Sequence, residues 1–165
     1  MALALLDTNV LVYAAYRNSP HHHAAAQLVA LGLREPNRFC IAPQNLVEFL
    51  AVVTRARFVE PPLSPAEAAR MAGLLYRSRR LRKIYPKRAT VARAIRAGRE
   101  VGVTGPAWYD LFLAATMRDA GVRLLVTENI ADFRKFPFLS PRTIQDALGE
   151  IRGGAEGGIP RGSFL

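Results

Sequence analysis

Four carboxylates fall where the surrounding sequence gives them little structural reason to be. Asp7 follows the apolar run Ala2 to Leu6, and Glu48 interrupts Leu46-Val47-Glu48-Phe49-Leu50. Asp110 lies between Trp108-Tyr109 and Leu111-Phe112-Leu113, and Asp132 sits directly before Phe133. An ionised carboxylate in apolar surroundings is costly unless it is paired, exposed or bound to a cation. If these groups converge, they make an oxygen cage suited to Mg2+ or Mn2+. Such an ion lowers the pKa of a bound water and stabilises charge developing at phosphorus, which is the chemistry of phosphodiester hydrolysis. Plainer readings exist for three of them. Asp110 suits the first turn of a helix, where the dipole favours an anion; Glu48 could face water on an amphipathic helix; Asp132 could be a turn residue. Asp7 resists such a reading, because a strand-end position is where open α/β sheets place their ligands.

The elements that must position these groups alternate between strand and helix signals, which predicts an α/β domain with a mostly parallel sheet flanked by helices. Leu3 to Leu6, Phe39 to Ala42 and Arg123 to Val126 read as short buried strands, and Leu81 to Tyr85 as a weaker one with basic residues between apolar ones. Helices are predicted over Val10–Tyr16 with Asn9 as cap, Pro20–Leu33, Pro43–Thr54, Arg88–Val101 and Ala107–Ala120, with at most a helical turn over Ile130–Phe133. Ser64-Pro65-Ala66-Glu67 is a capping box with proline in the first helical position, and it starts a helix reaching about Tyr76. Residues 1–150 are read as one domain, and 151–165, rich in glycine, as a disordered tail. His21-His22-His23 reads as a solvated helix start, because adjacent helical positions do not share a face.

Composition bounds the partners. No uninterrupted apolar stretch is long enough to span a membrane, and Asp7 inside the apolar N-terminal run argues against a signal peptide. The single cysteine, Cys40, reads as a small buried hydrophobe and points to a reducing, cytoplasmic compartment. The net charge is +10, and Arg77 to Arg99 holds ten basic residues and no acidic one. The rest of the chain is formally neutral, so the whole excess sits in one segment that repels itself unless a polyanion offsets it. Within it, Arg79, Arg80, Arg82 and Lys83 are candidates to track a phosphate backbone, and Arg88 opens a basic helical face. Tyr76, Tyr85 and Trp108 could stack on bases, although core packing is the expected role for all three.

Read together, four segments resemble the motifs of PIN domains in family order. They are Leu6-Asp7-Thr8-Asn9-Val10-Leu11, Asn45-Leu46-Val47-Glu48-Phe49 with Val53-Thr54-Arg55, Tyr109-Asp110-Leu111-Phe112-Leu113-Ala114-Ala115-Thr116, and Thr127-Glu128-Asn129-Ile130-Ala131-Asp132-Phe133. The resemblance covers about residues 3 to 145 and is nearest to VapC-like toxins of bacterial toxin–antitoxin pairs. It implies a PIN-like fold with a helical arm carrying the basic segment, and a Mg2+- or Mn2+-dependent endoribonuclease. By motif position it implies Asp7, Glu48 and Asp110 as catalytic, metal-binding acids, supported by Thr8, Asn9 and Thr127. RNA, an antitoxin and a second copy of the chain are the implied partners. The fourth motif departs from the family, in which many members have an acid where this chain has Asn129. Asp132, three residues on, could reach the same site if the stretch is helical, with Asn129 offering a neutral oxygen. Haloacid dehalogenase-like phosphatases also begin with a strand-end Asp, but they carry a second Asp where this chain has Asn9. A catalytically weakened RNA-binding module and a structure-specific DNA nuclease are the remaining alternatives.

Overall fold

The computed structural model describes residues 2–156, with backbone alone over 154–156. In chain order its elements are β1 (Ala4–Leu6), α1 (Thr8–Ala15), α2 (His22–Arg34), β2 (Phe39–Ile41), α3 (Pro43–Val53), α4 (Pro65–Arg77) and β3 (Arg82–Lys83), followed by α5 (Arg88–Glu100), α6 (Ala107–Asp119), β4 (Leu124–Val126), α7 (Ile130–Arg134), β5 (Ser140–Arg142) and α8 (Ile144–Glu156).

The apolar runs form strands because both faces of the sheet are covered. Along β1, Ala4 and Leu6 point into one core, shared with α1, α2, α3, α4 and α8, while Leu5 points into a second core, shared with α6 and α7. Phe39 and Ile41 against Cys40 in β2 repeat this alternation, as Val126 against Leu125 does in β4. The strand order is β3-β2-β1-β4-β5, and every pairing is parallel. In such an order the chain winds one way from β1 to β2 and the other way to β4. The crevice between the carboxyl ends of β1 and β4 is therefore the topological switch point where ligands sit in open α/β sheets.

Several local expectations are corrected by tertiary structure. Asp7, not Asn9, caps α1, accepting from the Thr8 amide at 2.7 Å. β5 was not expected: it is an edge strand containing Pro141, which such a position tolerates. α8 runs through the segment expected to begin a disordered tail, because Ile144, Ala147 and Leu148 are buried against the first core. The rest of that expectation, residues 157–165, lies outside the described residues. The histidine run is not simply solvated. His21 stacks on Tyr13 with centroids 5.0 Å apart, and His22 Nδ1 meets the Tyr13 carbonyl at 3.1 Å. Cys40 is fully buried, and burial pushes its thiol up to about 12, so it is inert. The predicted capping box is present, Ser64 and Glu67 each binding the other's backbone amide.

The basic segment is split between two supports. α4 packs on α3, and α5 packs on α6. The α5–α6 contact is close at Gly98, where a Cβ would stand 2.3 Å from Trp108 Cη2. Trp108 is accordingly half-buried, as expected, but Tyr76 and Tyr85 are each 52% exposed and do not pack into the core.

Candidate active site

Asp7 leaves β1 at the switch crevice, 6% exposed, and both of its oxygens are engaged. Oδ1 accepts from the Thr8 amide, and Oδ2 accepts from the Thr127 hydroxyl at 2.7 Å and from Asn9 Nδ2 at 3.0 Å. Thr127, the first residue after β4, is fully buried, and its oxygen also accepts from Asn9 Nδ2 at 2.9 Å and from the Asn129 amide at 3.0 Å. Asn9 reaches back to accept from the Glu128 amide at 3.4 Å. These bonds tie β1, α1 and the loop after β4 into one frame with Asp7 at its centre. Burial above all raises the Asp7 pKa, the Thr127 and Thr8 hydrogen bonds oppose the rise, the charges of Glu48 and Asp110 add to it, and the net value is about 6.

Glu48 is brought alongside by α3. Its Oε2 accepts from the Thr8 hydroxyl at 2.8 Å, and its Oε1 accepts from Gln44 Nε2 at 2.7 Å. Two residues not singled out from sequence complete this wall. Asn45, fully buried, caps α3 by accepting from the Ala42 amide at 2.9 Å and donates to Thr8 Oγ1 at 3.2 Å. Gln44 donates a second time, to the Tyr109 carbonyl at 2.9 Å, which fixes the start of α6 against α3. Gln44 Oε1 is buried with no hydrogen-bond partner.

Asp110 enters from the first turn of α6 and is half-buried. Burial raises its pKa, the charges of Asp132 and Glu48 add to the rise, and the Lys135 ammonium works against it. Lys135 Nζ lies 3.9 Å from Asp110 Oδ2, a counter-charge that sequence reasoning missed. Asp132 is exposed on α7, within the field of Asp110. The Asn129 side chain makes no capping bond. Glu128 turns away to accept from the Ile144 amide at 2.9 Å, at the start of α8.

The arrangement is thus looser than a four-acid cage. Among the described residues, no three His, Cys, Asp or Glu side chains gather closely enough to form a ready ligand set. The charges of Glu48 and Asp110 nevertheless raise the Asp7 pKa, and that of Glu48 raises the Asp110 pKa, so the three carboxylates lie near enough to act on one site. Mg2+ commonly keeps several waters and binds through one or two carboxylates. The all-oxygen donor set and the unpartnered Gln44 oxygen fit a hydrated ion of that kind. Of the basic candidates, Arg79, Arg82 and Arg88 are exposed. Arg80 donates to the Arg34 carbonyl, and Lys83 donates to the carbonyls of Ser78 and Leu81. Arg80 is exposed as well and keeps further guanidinium donors beside that bond, whereas Lys83 is partly buried and braces the turn into β3.

Comparison with known proteins agrees with this fold. The sequence profile of the PIN domain matches residues 4–139. The ribonuclease VapC24 of Mycobacterium tuberculosis is 31% identical over 143 residues, which is 81% of this chain and 90% of the relative. Among solved structures, the fold is similar to M. tuberculosis VapC20, described as a Sarcin-Ricin loop cleaving toxin. That match has a TM-score of 0.58 and 16% identity, covering 74% of this chain and 86% of the other. It is also similar to VapBC2 of Rickettsia felis bound to a promoter DNA fragment, with a TM-score of 0.57 and 19% identity, covering 86% and 98%. A five-stranded parallel sheet with the buried Asp7 at its switch point, a profile match over most of the chain and a ribonuclease relative matched over 90% of its length together place this chain in the PIN-domain family.

Proposed function

We propose that this chain is a Mg2+- or Mn2+-dependent endoribonuclease, acting as the toxin of a toxin–antitoxin pair in the cytoplasm. The observation that carries the reading is Asp7, a buried carboxylate held by three donors at the switch crevice, with a pKa near 6 and the charges of Glu48 and Asp110 upon it. A fold bears such a cost when a ligand offsets it. When bound, the ion supplies a nucleophilic water and charge stabilisation at phosphorus. The chain's own part is to hold donors in place. Thr8, Asn9 and Thr127 orient Asp7, Gln44 and Thr8 orient Glu48, and α6 brings Asp110, with Asp132 beyond it as a further charge. Asn129 offers only a neutral oxygen. Exposed Arg79, Arg80, Arg82 and Arg88 attract the RNA backbone, with Lys83 bracing the turn into β3.

Relatives of the fold solved as toxin–antitoxin assemblies support an antitoxin partner. Homodimerisation belongs to the same reading, and Val91 and Ile95, exposed on α5, give it an apolar contact surface. The test is incubation of the purified protein with defined RNAs and matching DNAs in Mg2+, Mn2+ or EDTA, with product ends mapped. RNA cleavage that requires the ion is expected. Cleavage undiminished by EDTA overturns the metal assignment, and RNA binding without cleavage under all conditions favours the weakened module.

A further inference from the structure

The outer side of β3 carries a feature that the acidic crevice does not use. β3 is an edge strand, and beside it lies a shallow depression of about 450 Å³ lined by Asn37, Arg79, Arg82, Lys83, Tyr76 and Tyr85, among others, with no acidic residue on its walls. Tyr76 ends α4, and Tyr85 follows β3 by two residues. Both rings are half exposed although the chain has apolar cores on each side of the sheet to receive them. Both side chains line the same depression, so their exposed rings share one surface. The Lys83 ammonium lies in the field of Tyr76 while donating to the carbonyls of Ser78 and Leu81, so it braces the loop beneath. Arg79 and Arg82, both exposed, remain at the rim.

Exposed aromatic faces interleaved with free guanidinium groups are the chemistry of single-stranded nucleic-acid recognition: bases stack on the rings, and phosphates meet the arginines. Paired bases cannot use such a surface, because their faces are already stacked. The ends of β1 and β3 are two strand spacings apart, about 10 Å, and at about 3.4 Å per stacked nucleotide that is a span of roughly three nucleotides. We propose that Tyr76 and Tyr85 form a base-stacking platform that grips single-stranded RNA a few nucleotides away from the cleavage site, with Arg79 and Arg82 holding the intervening phosphates. The proposal rests on the reading of the chain as an RNA nuclease and adds a second RNA contact, at the β3 edge and outside the acidic crevice.

The experiment measures binding of a fluorescent unstructured RNA 12-mer (about 12 nucleotides, long enough to span both sites) in EDTA, where no cleavage intervenes. Wild-type protein is compared with Tyr76→Leu/Tyr85→Leu, which keeps apolar bulk, and with Tyr76→Phe/Tyr85→Phe, which keeps the rings and removes only the hydroxyls. At the low end of base–aromatic stacking, each lost base weakens binding about fivefold, so the Leu pair should lose about 25-fold. The Phe pair should bind within about threefold of wild type, given that the rings carry most of the energy. A duplex RNA of the same length should bind the wild-type and Leu proteins alike. Unchanged affinity in the Leu pair, an equal loss in the Phe pair, or an equal loss on duplex RNA each overturns the platform. Metal-dependent cleavage by the wild-type protein is scored separately. If it is present while the Leu pair binds normally, the platform fails and the nuclease reading stands. If wild-type protein neither binds nor cleaves RNA, both fail.

Discussion

Replacing Asp7 by asparagine probes the acidic site through the stability of the fold as well as through catalysis. Burial holds the Asp7 carboxyl at about 6 against its ordinary 3.8. The folded protein therefore binds a proton there more tightly than the unfolded chain does. Below about 3.8 Asp7 imposes no penalty, between about 3.8 and about 6 stability falls as the pH rises, and above about 6 the full penalty is present. At 1.36 kcal/mol per pH unit the interval amounts to about 3 kcal/mol. Asparagine does not ionise, so this dependence disappears in Asp7→Asn. The new amide also turns an NH2 toward Asn9 Nδ2 and Thr127 and forfeits bonds made by Oδ2, which costs about 1–3 kcal/mol. Net stability at neutral pH in EDTA should therefore change little, while its pH profile changes by the whole interval. Urea unfolding of both proteins in EDTA, from about pH 4 to about pH 8, reads this directly. The difference in unfolding free energy between variant and wild type should rise by about 2.4 kcal/mol across the series, because about 0.5 kcal/mol of the penalty is already present at its acid end. A difference that stays flat would refute the reasoning. Added Mg2+ should stabilise the wild type by about 2.7 kcal/mol at a hundredfold excess over its Kd and the variant far less, and the variant should not cleave RNA.

Three further outcomes follow from the same geometry. Thr127→Val removes the hydroxyl that holds Asp7, Asn9 and the Asn129 amide; it should cost about 1–3 kcal/mol in urea unfolding and, by raising the Asp7 pKa further, move the acid limb of the cleavage pH profile upward. Asp132→Ala should raise the half-saturating Mg2+ concentration for cleavage more than Asn129→Ala does, since only Asp132 carries charge into the field of Asp110; the reverse order in a Mg2+ titration would reassign the fourth position. Neutralising Arg79 and Arg82 together should lower the log–log salt slope of RNA binding by about 1.4, at about 0.7 per phosphate contact on a single strand. Adding Arg80→Gln should lower the slope by up to about 0.7 more, whereas adding Lys83→Gln should change it little and lower stability instead, because the Lys83 ammonium holds the carbonyls of Ser78 and Leu81.

What was legible in the sequence was what local chemistry decides. A capping box is written in four consecutive residues, and Ser64 to Glu67 forms one as spelled. Buried parallel strands read as short apolar runs, and β1, β2 and β4 lie where such runs occur. β5 is not legible this way: Ser140-Pro141-Arg142 is neither apolar nor alternating, and it becomes a strand only because β4 offers it an edge. α8 was obscured by its glycines, which lower helix propensity but do not outweigh burial of Ile144, Ala147 and Leu148. In the site, Asp7 stands out because the five residues before it are all apolar. Gln44, Asn45 and Lys135 did not, since each matters through a partner far away in sequence: Tyr109, Thr8 and Asp110. Tyr76 and Tyr85 were assigned to the core by residue type alone. Their exposure is a property of the β3 edge that no local pattern records.

The seat of Trp108 on Gly98 ties two positions into one unit of change. Any side chain at 98 would run its Cβ to within 2.3 Å of the indole, and a smaller residue at 108 would leave a hole beneath α5. Neither position can drift alone without passing through a strained or cavity-bearing form. The basic helix and the helix that carries Asp110 are therefore joined by an exchange that requires two coordinated substitutions, and across related sequences glycine at 98 should keep company with tryptophan at 108 or be replaced together with it.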